Sequence, residues 1–265
     1  MQAMKLGAIY RPAPPSVQRL RAFAPMASLV PPTVCRWDLQ VDWLGNDGQV
    51  DPLGNDVLGN CVPCSALRLM QLWRDVAGGD RRKPMRAQAV ELYTRWGGYN
   101  PDLPSTDRGT FTDEAFGQFA RKGFVWEFQT QIVPRWTIIE ADGVAPDMGD
   151  LKTAIYALGG VLAVFRMPRS ALATTALWVE PQPGSDDAQD MGAHAVLLAG
   201  YDSLGTFYGV SWGHVIPIRP AFIVSRLLQA SAFASDAWLG ASPRVTPSGL
   251  DWDQIRAIGA QIEGV

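Results

Sequence analysis

The spacing of apolar and polar residues predicts a helical first half of the chain. Residues Cys61–Val76 are apolar on most faces and are closely followed by two glycines, which predicts a buried central helix. A second helix is predicted over residues 86–96. A third is predicted to begin at Thr112, which should cap it, because two acidic residues and several apolar ones follow.

After Gly123 the pattern changes to β-prone segments around one helix, predicted as strand, helix and strand over residues 137–140, 150–158 and 161–165. Residues 193–201 and 207–212 both carry apolar side chains. The segment between them, Asp202-Ser-Leu-Gly-Thr, has the chemistry of a turn, so the pair is predicted to form a β-hairpin. A capped terminal helix is predicted from Ser248. The predicted fold class is α+β.

Proline enrichment sets residues 1–50 apart, because each proline restricts itself and the preceding residue to extended conformations. We expect an arm laid over the domain, and this arm is also a candidate for contacts in a protein assembly. Residues 51–265 are expected to form one unit, with a helical subdomain over 51–125 and a β-rich subdomain over 126–265.

Composition excludes several kinds of partner. The chain has 265 residues, 47% of them hydrophobic, which is enough to bury a substantial core. A net charge of -3 provides no basic field for nucleic acid or an anionic membrane. No apolar run approaches the ~20 residues of a membrane span, and no secretory signal pattern is found. Three cysteines are too few for a disulfide scaffold, so we expect a reducing location such as the cytoplasm.

Cys61 and His194 are the candidate reactive pair. Cys61 follows Leu58-Gly59-Asn60 at the start of the central helix, where unpaired backbone N–H groups and the helix dipole stabilise a thiolate. His194 is one of only two histidines and opens an apolar strand, from which its ring can be aimed rigidly. A thiol beside an imidazole is the arrangement that nucleophilic cysteine catalysis needs. Cys35 and Cys64 are expected to be core residues.

Three segments resemble the signature segments of papain-like cysteine peptidases, in the same order along the chain. They are Gly59-Asn60-Cys61 entering a helix, Ala193-His194-Ala195-Val196-Leu197-Leu198-Ala199-Gly200-Tyr201, and Ser211-Trp212-Gly213. The resemblance spans roughly residues 50–215. It implies a papain-like fold with a cleft between the two subdomains, a Cys61–His194 dyad, and a peptide or protein substrate. It implies neither a cofactor nor a metal.

The resemblance also bears on which cysteine is the nucleophile. In the family, a Gln side chain six residues before the nucleophile donates to the oxyanion. The residue six positions before Cys61 is Asn55, an amide one methylene shorter, whereas the same step from Cys64 reaches Leu58, which cannot donate. Cys61 is therefore favoured, with Asn55 as its oxyanion donor, although Asn55 also fits a turn.

One position departs from the family pattern. The family orients its histidine with an Asn directly before the Ser-Trp pair, and Val210 stands there in this chain. Strand alternation is expected to point the next residue, Ser211, to the opposite face from the ring. Trp212 is expected to shield the His194 side of the cleft. The dyad would then lack a third member, which implies a reduced rate, another orienting group, or no peptidase activity.

Other functions stay open at this level. Val210 favours a catalytically impaired papain-fold module, and the chain also resembles uncharacterised bacterial and phage proteins with a Gly-Asn-Asp-x-Leu-Gly-x-Cys segment, so a place in a virus particle is an alternative. The Cys61-Val-Pro-Cys64 sequence is similar to the CxPC of thiol-disulfide oxidoreductases, but no strand leads into it. A zinc site from these cysteines with His194 and His214 has enough ligands, but its spacing matches no compact zinc module.

Overall fold

A computed structural model describes residues 4–15, 17, 20, 29–44, 50–78, 82–126, 129–131, 135–140, 146–240, 245–251 and 253. The helices within these residues are α1 (Cys61–Val76), α2 (Arg86–Gly97), α3 (Thr112–Lys122), α4 (Met148–Leu158), α5 (Arg169–Leu172) and α6 (Pro220–Arg226). None of the described helices is long and apolar enough to cross a bilayer.

The strands are β1 (Ala8–Ile9), β2 (Cys35–Arg36), β3 (Thr110–Phe111), β4 (Phe124–Trp126), β5 (Gln129–Gln131), β6 (Arg135–Glu140), β7 (Val161–Pro168), β8 (Asp190–Tyr201), β9 (Phe207–Ser211), β10 (His214–Ile218) and β11 (Leu227–Phe233). The main sheet runs β10-β9-β8-β7-β11-β6 with antiparallel neighbours. β4 and β5 form a separate two-stranded sheet. The predicted α+β class is confirmed.

Helix α1 lies at the centre of the molecule and is buried on all its faces from Cys61 to Trp73. Such a helix needs partners for its polar groups as well as for its apolar ones. The Trp73 indole N–H donates to the carbonyl of Leu158 at 2.7 Å, which ties α1 to the end of α4. Arg68 donates to the Gln71 side chain at 2.5 Å within the helix itself. Polar side chains of α1 therefore find partners in a neighbouring helix and within α1 itself.

Most of the elements predicted from the pattern are confirmed. Helix α1 has the predicted limits, α2 and α4 agree within two residues, and the hairpin forms between β8 and β9. Helix α3 begins at Thr112 as predicted, but the capping role of Thr112 is wrong, since Phe111 is the N-cap. The Thr112 hydroxyl instead accepts from the Arg11 N–H and donates to the Arg11 carbonyl, at 3.2 and 3.3 Å. The terminal helix predicted from Ser248 lies largely outside the described residues.

The proline-rich arm contributes strands to the sheet. β1 pairs in parallel with β3, with Ala8 opposite Thr110, and Ala8 also pairs with Ala193 of β8. Because β3 precedes the helical α3 and β8 belongs to the main sheet, β1 joins the two halves of the protein. β2 pairs with the far end of β8, with Cys35 opposite Tyr201.

Truncating a buried side chain of α1 is expected to destabilise the fold strongly. Leu69 is fully buried, so Leu69→Ala should lower the free energy of unfolding by about 2–5 kcal/mol through lost burial and a residual cavity. Leu204 is 77% exposed in the β8–β9 turn, and Leu204→Ala is the matched control, with an expected change within about 0.5 kcal/mol. Urea unfolding of the two variants measures the difference. Equal midpoints would contradict the central position of α1.

Candidate active site

Cys61 is the first residue of α1 and is fully buried. The chain enters the helix through a turn in which Leu53 and Gly54 have φ of 57° and 85°. The Asn60 side chain holds this turn by donating to the Leu53 carbonyl at 3.0 Å. The Cys61 Sγ accepts a hydrogen bond of 3.4 Å from the N–H of Ala195. Since Ala195 directly follows His194, the fold brings the sulfur to the strand that carries the histidine.

His194 is also fully buried, on β8, and its ring is held from two sides. Nε2 lies 2.6 Å from the Ser211 hydroxyl oxygen. The Trp212 indole stacks on the imidazole with centroids 4.0 Å apart and planes 23° apart. Nδ1 is buried and has no hydrogen-bond partner among the described residues. The ring is thus fixed through Nε2, and Nδ1 is the ring nitrogen that remains without a partner among the described residues.

The expectation that Ser211 points away from His194 is wrong, and the strand register explains why. Leu197 of β8 lies opposite Val210 of β9. Ser211 follows Val210, so its side chain lies on the face of the sheet opposite to that of Leu197. His194 is three residues before Leu197 on β8, so its side chain lies on that same opposite face. Val210 stands where an orienting Asn was expected, but Ser211 is the residue that contacts the ring.

Trp212 is placed by a tight turn between β9 and β10. Trp212 and Gly213 are the two residues of this hairpin loop, with φ of 48° and 74°. Both values are positive, as a type I′ turn requires, and such a backbone conformation is strained for a tryptophan. The Trp212 indole also packs edge-on against Trp178, with centroids 5.7 Å apart. The turn and this packing keep the indole over His194.

Asn55, the expected oxyanion donor, lies in a cavity that also contains Cys61. The cavity measures about 10 Å³, close to the space needed by one water, and Cys64 and Ser211 are among its lining residues. Asn55 is 2% exposed, and its side-chain oxygen has no hydrogen-bond partner among the described residues. Asn55 and Cys61 thus line the same cavity, and the atom of Asn55 without a partner there is an acceptor.

In this structure Cys61 and His194 are both neutral near pH 7. Burial raises the pKa of the Cys61 thiol to about 11, although N–H groups of Ala195, Gly7 and the first turn of α1 act against this shift. Burial lowers the pKa of His194 to about 3. Desolvation of both charged forms outweighs the favourable helix N-terminus. Forming a thiolate–imidazolium pair therefore requires the site to be opened to water or substrate.

The arm is what closes the site. The Trp212 indole N–H donates to the Lys5 carbonyl at 3.1 Å, and the Gly7 N–H faces the Cys61 sulfur. Ala8 then continues into the pairing with β3 and β8. The arm thus crosses directly over the sulfur and the indole.

The remaining candidate residues are packed or lie away from His194. Cys64 donates to the Leu53 carbonyl at 3.7 Å, and burial raises the pKa of its thiol. Burial likewise raises the pKa of Cys35, on β2, to about 12. His214 is exposed, with Nδ1 2.8 Å from the Trp212 carbonyl. Within the described ranges, no group of three His, Cys, Asp or Glu residues could hold a metal ion.

Two residues beside the site were missed by sequence reasoning. Asp107 accepts hydrogen bonds from the Gly59 N–H at 2.8 Å and from the Tyr93 hydroxyl at 2.7 Å. The Tyr93 hydroxyl accepts in turn from the Gly109 N–H at 2.8 Å. This network connects the loop before α1 to the loop before β3. No local pattern marks it, because its members are far apart in sequence.

Comparisons with known proteins identify the fold. No family model and no curated protein matches the chain. Among solved structures, xylellain, a cysteine protease from Xylella fastidiosa, matches with a TM-score of 0.59 and 16% identity over 88% of this chain and 97% of that one. ProCathepsin B S9 from Trypanosoma congolense matches with a TM-score of 0.54 and 12% identity over 87% and 86% of the two chains. Digestive procathepsin L 3 of Tenebrio molitor matches with a TM-score of 0.52 and 13% identity over 82% of this chain and 75% of that one. The fold is papain-like.

Proposed function

We propose that this papain-fold chain is a cysteine peptidase or a related thiol acyl-transfer hydrolase, with Cys61 as nucleophile and His194 as general acid and base. The observation that carries the proposal is the way the imidazole is held. Nε2 is fixed by Ser211, Trp212 covers one ring face, and Nδ1 has no partner among the residues described. The sulfur meanwhile accepts from the N–H of the very next residue, Ala195. A buried, half-satisfied histidine beside a thiol is typical of a reacting pair.

In the proposed reaction, the Cys61 thiol gives its proton to Nδ1 of His194, and the sulfur bonds to the carbonyl carbon of a peptide or isopeptide. The carbonyl electron pair moves to oxygen, where the Cys61 N–H and the Asn55 side-chain amide would stabilise the charge. The imidazolium then protonates the departing amine as the C–N bond breaks. His194 next removes a proton from water, which attacks the thioester and releases a carboxylic acid and the free thiol.

Ser211 would act as the positioning residue of this pair. A hydroxyl can accept from Nε2–H when the ring is charged, and it can donate to Nε2 when the proton sits on Nδ1. An Asn side-chain oxygen can only accept, so a serine holds the ring while leaving either neutral tautomer available. It therefore supplies the orientation that Val210 cannot.

The second candidate is a catalytically inactive module with the same fold, in which the arm of the chain itself permanently closes the site. Cys61 and His194 have no exposed surface, and both are uncharged near neutral pH as long as the arm covers them. An inert module would never need to move the arm. The two candidates differ in whether Cys61 becomes reactive when the arm is lifted.

Labelling with iodoacetamide at pH 7 tests the proposal on the full chain carrying Gly7→Ala, in which the added methyl cannot fit against Gly59. We expect selective modification of Cys61. His194→Ala in this background should slow it by about 10-fold or more, because an unassisted thiol of pKa about 8.5 is only a few per cent ionised. Ser211→Ala should slow it less, and Ser211→Thr should restore it.

Mass spectrometry of each cysteine provides the internal control, since Cys35 and Cys64 are packed in the core. Slow labelling that is equal at all three cysteines and independent of His194 would contradict the proposal and favour the inert module.

A further inference from the structure

The cleft beside Cys61 is a slot between two glycines, and a third glycine fills it. Gly59, two residues before Cys61, forms one wall, and Gly109, just before β3, forms the other. A Cβ built on Gly7 would overlap the carbonyl group of Gly59. A Cβ built on Gly109 would lie 2.5 Å from the Gly7 carbonyl oxygen. Real Cβ atoms do not approach other atoms so closely, so the slot has the width of a bare main chain.

The walls of this slot are fixed by hydrogen bonds. Asp107 holds the Gly59 N–H, Tyr93 holds the Gly109 N–H, and the Tyr93 hydroxyl donates to Asp107. Burial raises the pKa of Tyr93, so its hydroxyl keeps the proton that it donates. Two of these bonds end on a carboxylate and belong to the stronger class. The walls cannot move apart to admit a methyl group without breaking this network.

The occupant of the slot lies next to the nucleophile. The Gly7 N–H faces the Cys61 sulfur, while the Gly7 carbonyl oxygen accepts from the Thr110 N–H at 2.7 Å. The Gly7 carbonyl oxygen is therefore engaged with β3, and it is the N–H of Gly7 that faces the sulfur. The arm covers Cys61 as a bound strand that is not aligned for cleavage.

The residues around Gly7 indicate what the rest of the groove accepts. Lys5 forms an ion pair with Asp107 at 3.3 Å, and Ala8 is buried between β3 and β8. Farther along, the Arg11 guanidinium lies 3.4 Å from the centre of the Phe111 ring. An occupant is thus an extended strand with a cation two residues before the glycine and a small residue directly after it.

We propose that this slot makes the site selective for glycine, so that the ligands and substrates of the opened protein are extended peptides carrying a glycine beside Cys61. The cleavage part of this inference rests on the proposed function, whereas the binding part does not. Tyr93 and Asp107 act as positioning residues that set the width of the slot.

Binding is tested by measuring how fast iodoacetamide modifies Cys61 in the full chain. Gly7→Ala should speed modification by about 10- to 100-fold, since the added methyl group overpacks the slot and displaces the arm. Gly117→Ala is the matched control, because its Cβ would meet only the flexible end of Arg121, at 3.0 Å, and its rate should not change. Circular dichroism should show that both variants remain folded.

Peptides added to the Gly7→Ala protein then compare glycine with alanine directly. The peptide Met-Lys-Leu-Gly-Ala-Ile-Tyr-Arg, the sequence of residues 4–11, should slow labelling of Cys61. The same peptide with alanine at its glycine should not. The Tyr93→Phe, Gly7→Ala double variant loses the two hydrogen bonds of the Tyr93 hydroxyl, so the wall at Gly109 is released and the alanine peptide should protect as well. Equal protection of the Gly7→Ala protein by both peptides, or by neither at millimolar concentration, would overturn the inference.

Hydrolysis separates this inference from the proposed function. Libraries of peptides with glycine or alanine at each position are incubated with the Gly7→Ala protein. Cleavage confined to peptides with a glycine at one fixed position from the broken bond supports both ideas. Glycine-dependent protection without any cleavage supports the slot and contradicts the peptidase. Cleavage that is indifferent to glycine supports the peptidase and overturns the slot.

Discussion

In the Gly7→Ala protein, whose arm is displaced from the site, replacing Cys61 with alanine is expected to slow peptide hydrolysis by about 10⁴-fold or more, because the covalent step is lost. His194→Ala should cause a loss of similar size, because no imidazole then takes the thiol proton or protonates the departing amine. The Cys61→Ala, His194→Ala double variant should be no worse than either single variant, because the two groups act as one unit. Initial rates with a fluorogenic peptide, measured in the Gly7→Ala background, give these ratios.

Cys64→Ala is the matched control for this series. Its sulfur lines the same cavity but donates to the Leu53 carbonyl, so its removal should change the rate only a few-fold. Loss of hydrolysis in Cys64→Ala with retention in Cys61→Ala would mean that the nucleophile has been assigned to the wrong cysteine.

Asn55→Ala is expected to lower kcat by about 10²–10³-fold with little change in KM, the effect of removing one oxyanion donor. Asn55 lines the cavity that also contains Cys61, so its side-chain amide is placed to donate to a charge that develops there. Asn55→Asp has the same shape but lacks the donor and should lose activity similarly, whereas Asn55→Gln keeps the donor and should retain part of it. Full activity in Asn55→Asp would show that this residue serves only to form the turn.

Local sequence signals were sufficient for the elements that carry Cys61 and His194. The continuous apolar character of Cys61–Val76 predicted α1 with its observed limits, and the turn chemistry at Asp202 predicted the β8–β9 hairpin. Both signals are local, since helix and turn formation depend on residues that are close in sequence. The approach of Cys61 to the strand of His194 came from the resemblance, because a contact across more than a hundred residues leaves no periodic trace.

Features that depend on long-range register were not predictable in this way. Ser211 was assigned to the wrong face because the alternation was counted from Val210 without knowing that Val210 lies opposite Leu197. Thr112 looked like a helix cap, but its hydroxyl binds the main chain of Arg11, which comes from the arm. The position of Gly7 over the sulfur likewise depends on pairing between distant strands.

The electrostatic state of the site also differs from the sequence expectation. A helix N-terminus lowers the pKa of a cysteine, and several N–H groups do surround the Cys61 sulfur. Burial nevertheless raises the pKa of the Cys61 thiol to about 11, because desolvation of the thiolate outweighs these N–H groups. Desolvation disfavours the charged forms of both residues, so it raises the pKa of Cys61 and lowers the pKa of His194. Lifting the arm should therefore lower the thiol pKa and raise that of the imidazole.

Trapping the acyl-enzyme is the most direct test of covalent catalysis by Cys61. The Gly7→Ala protein is mixed with nitrophenyl acetate, quenched in acid and mapped by mass spectrometry, with iodoacetamide labelling run in parallel to establish that the sulfur is accessible. We predict a burst of one nitrophenolate per chain and an acetyl group on Cys61 that is absent in His194→Ala. An accessible Cys61 that acquires no acetyl group, or acquires it equally without His194, would contradict the account.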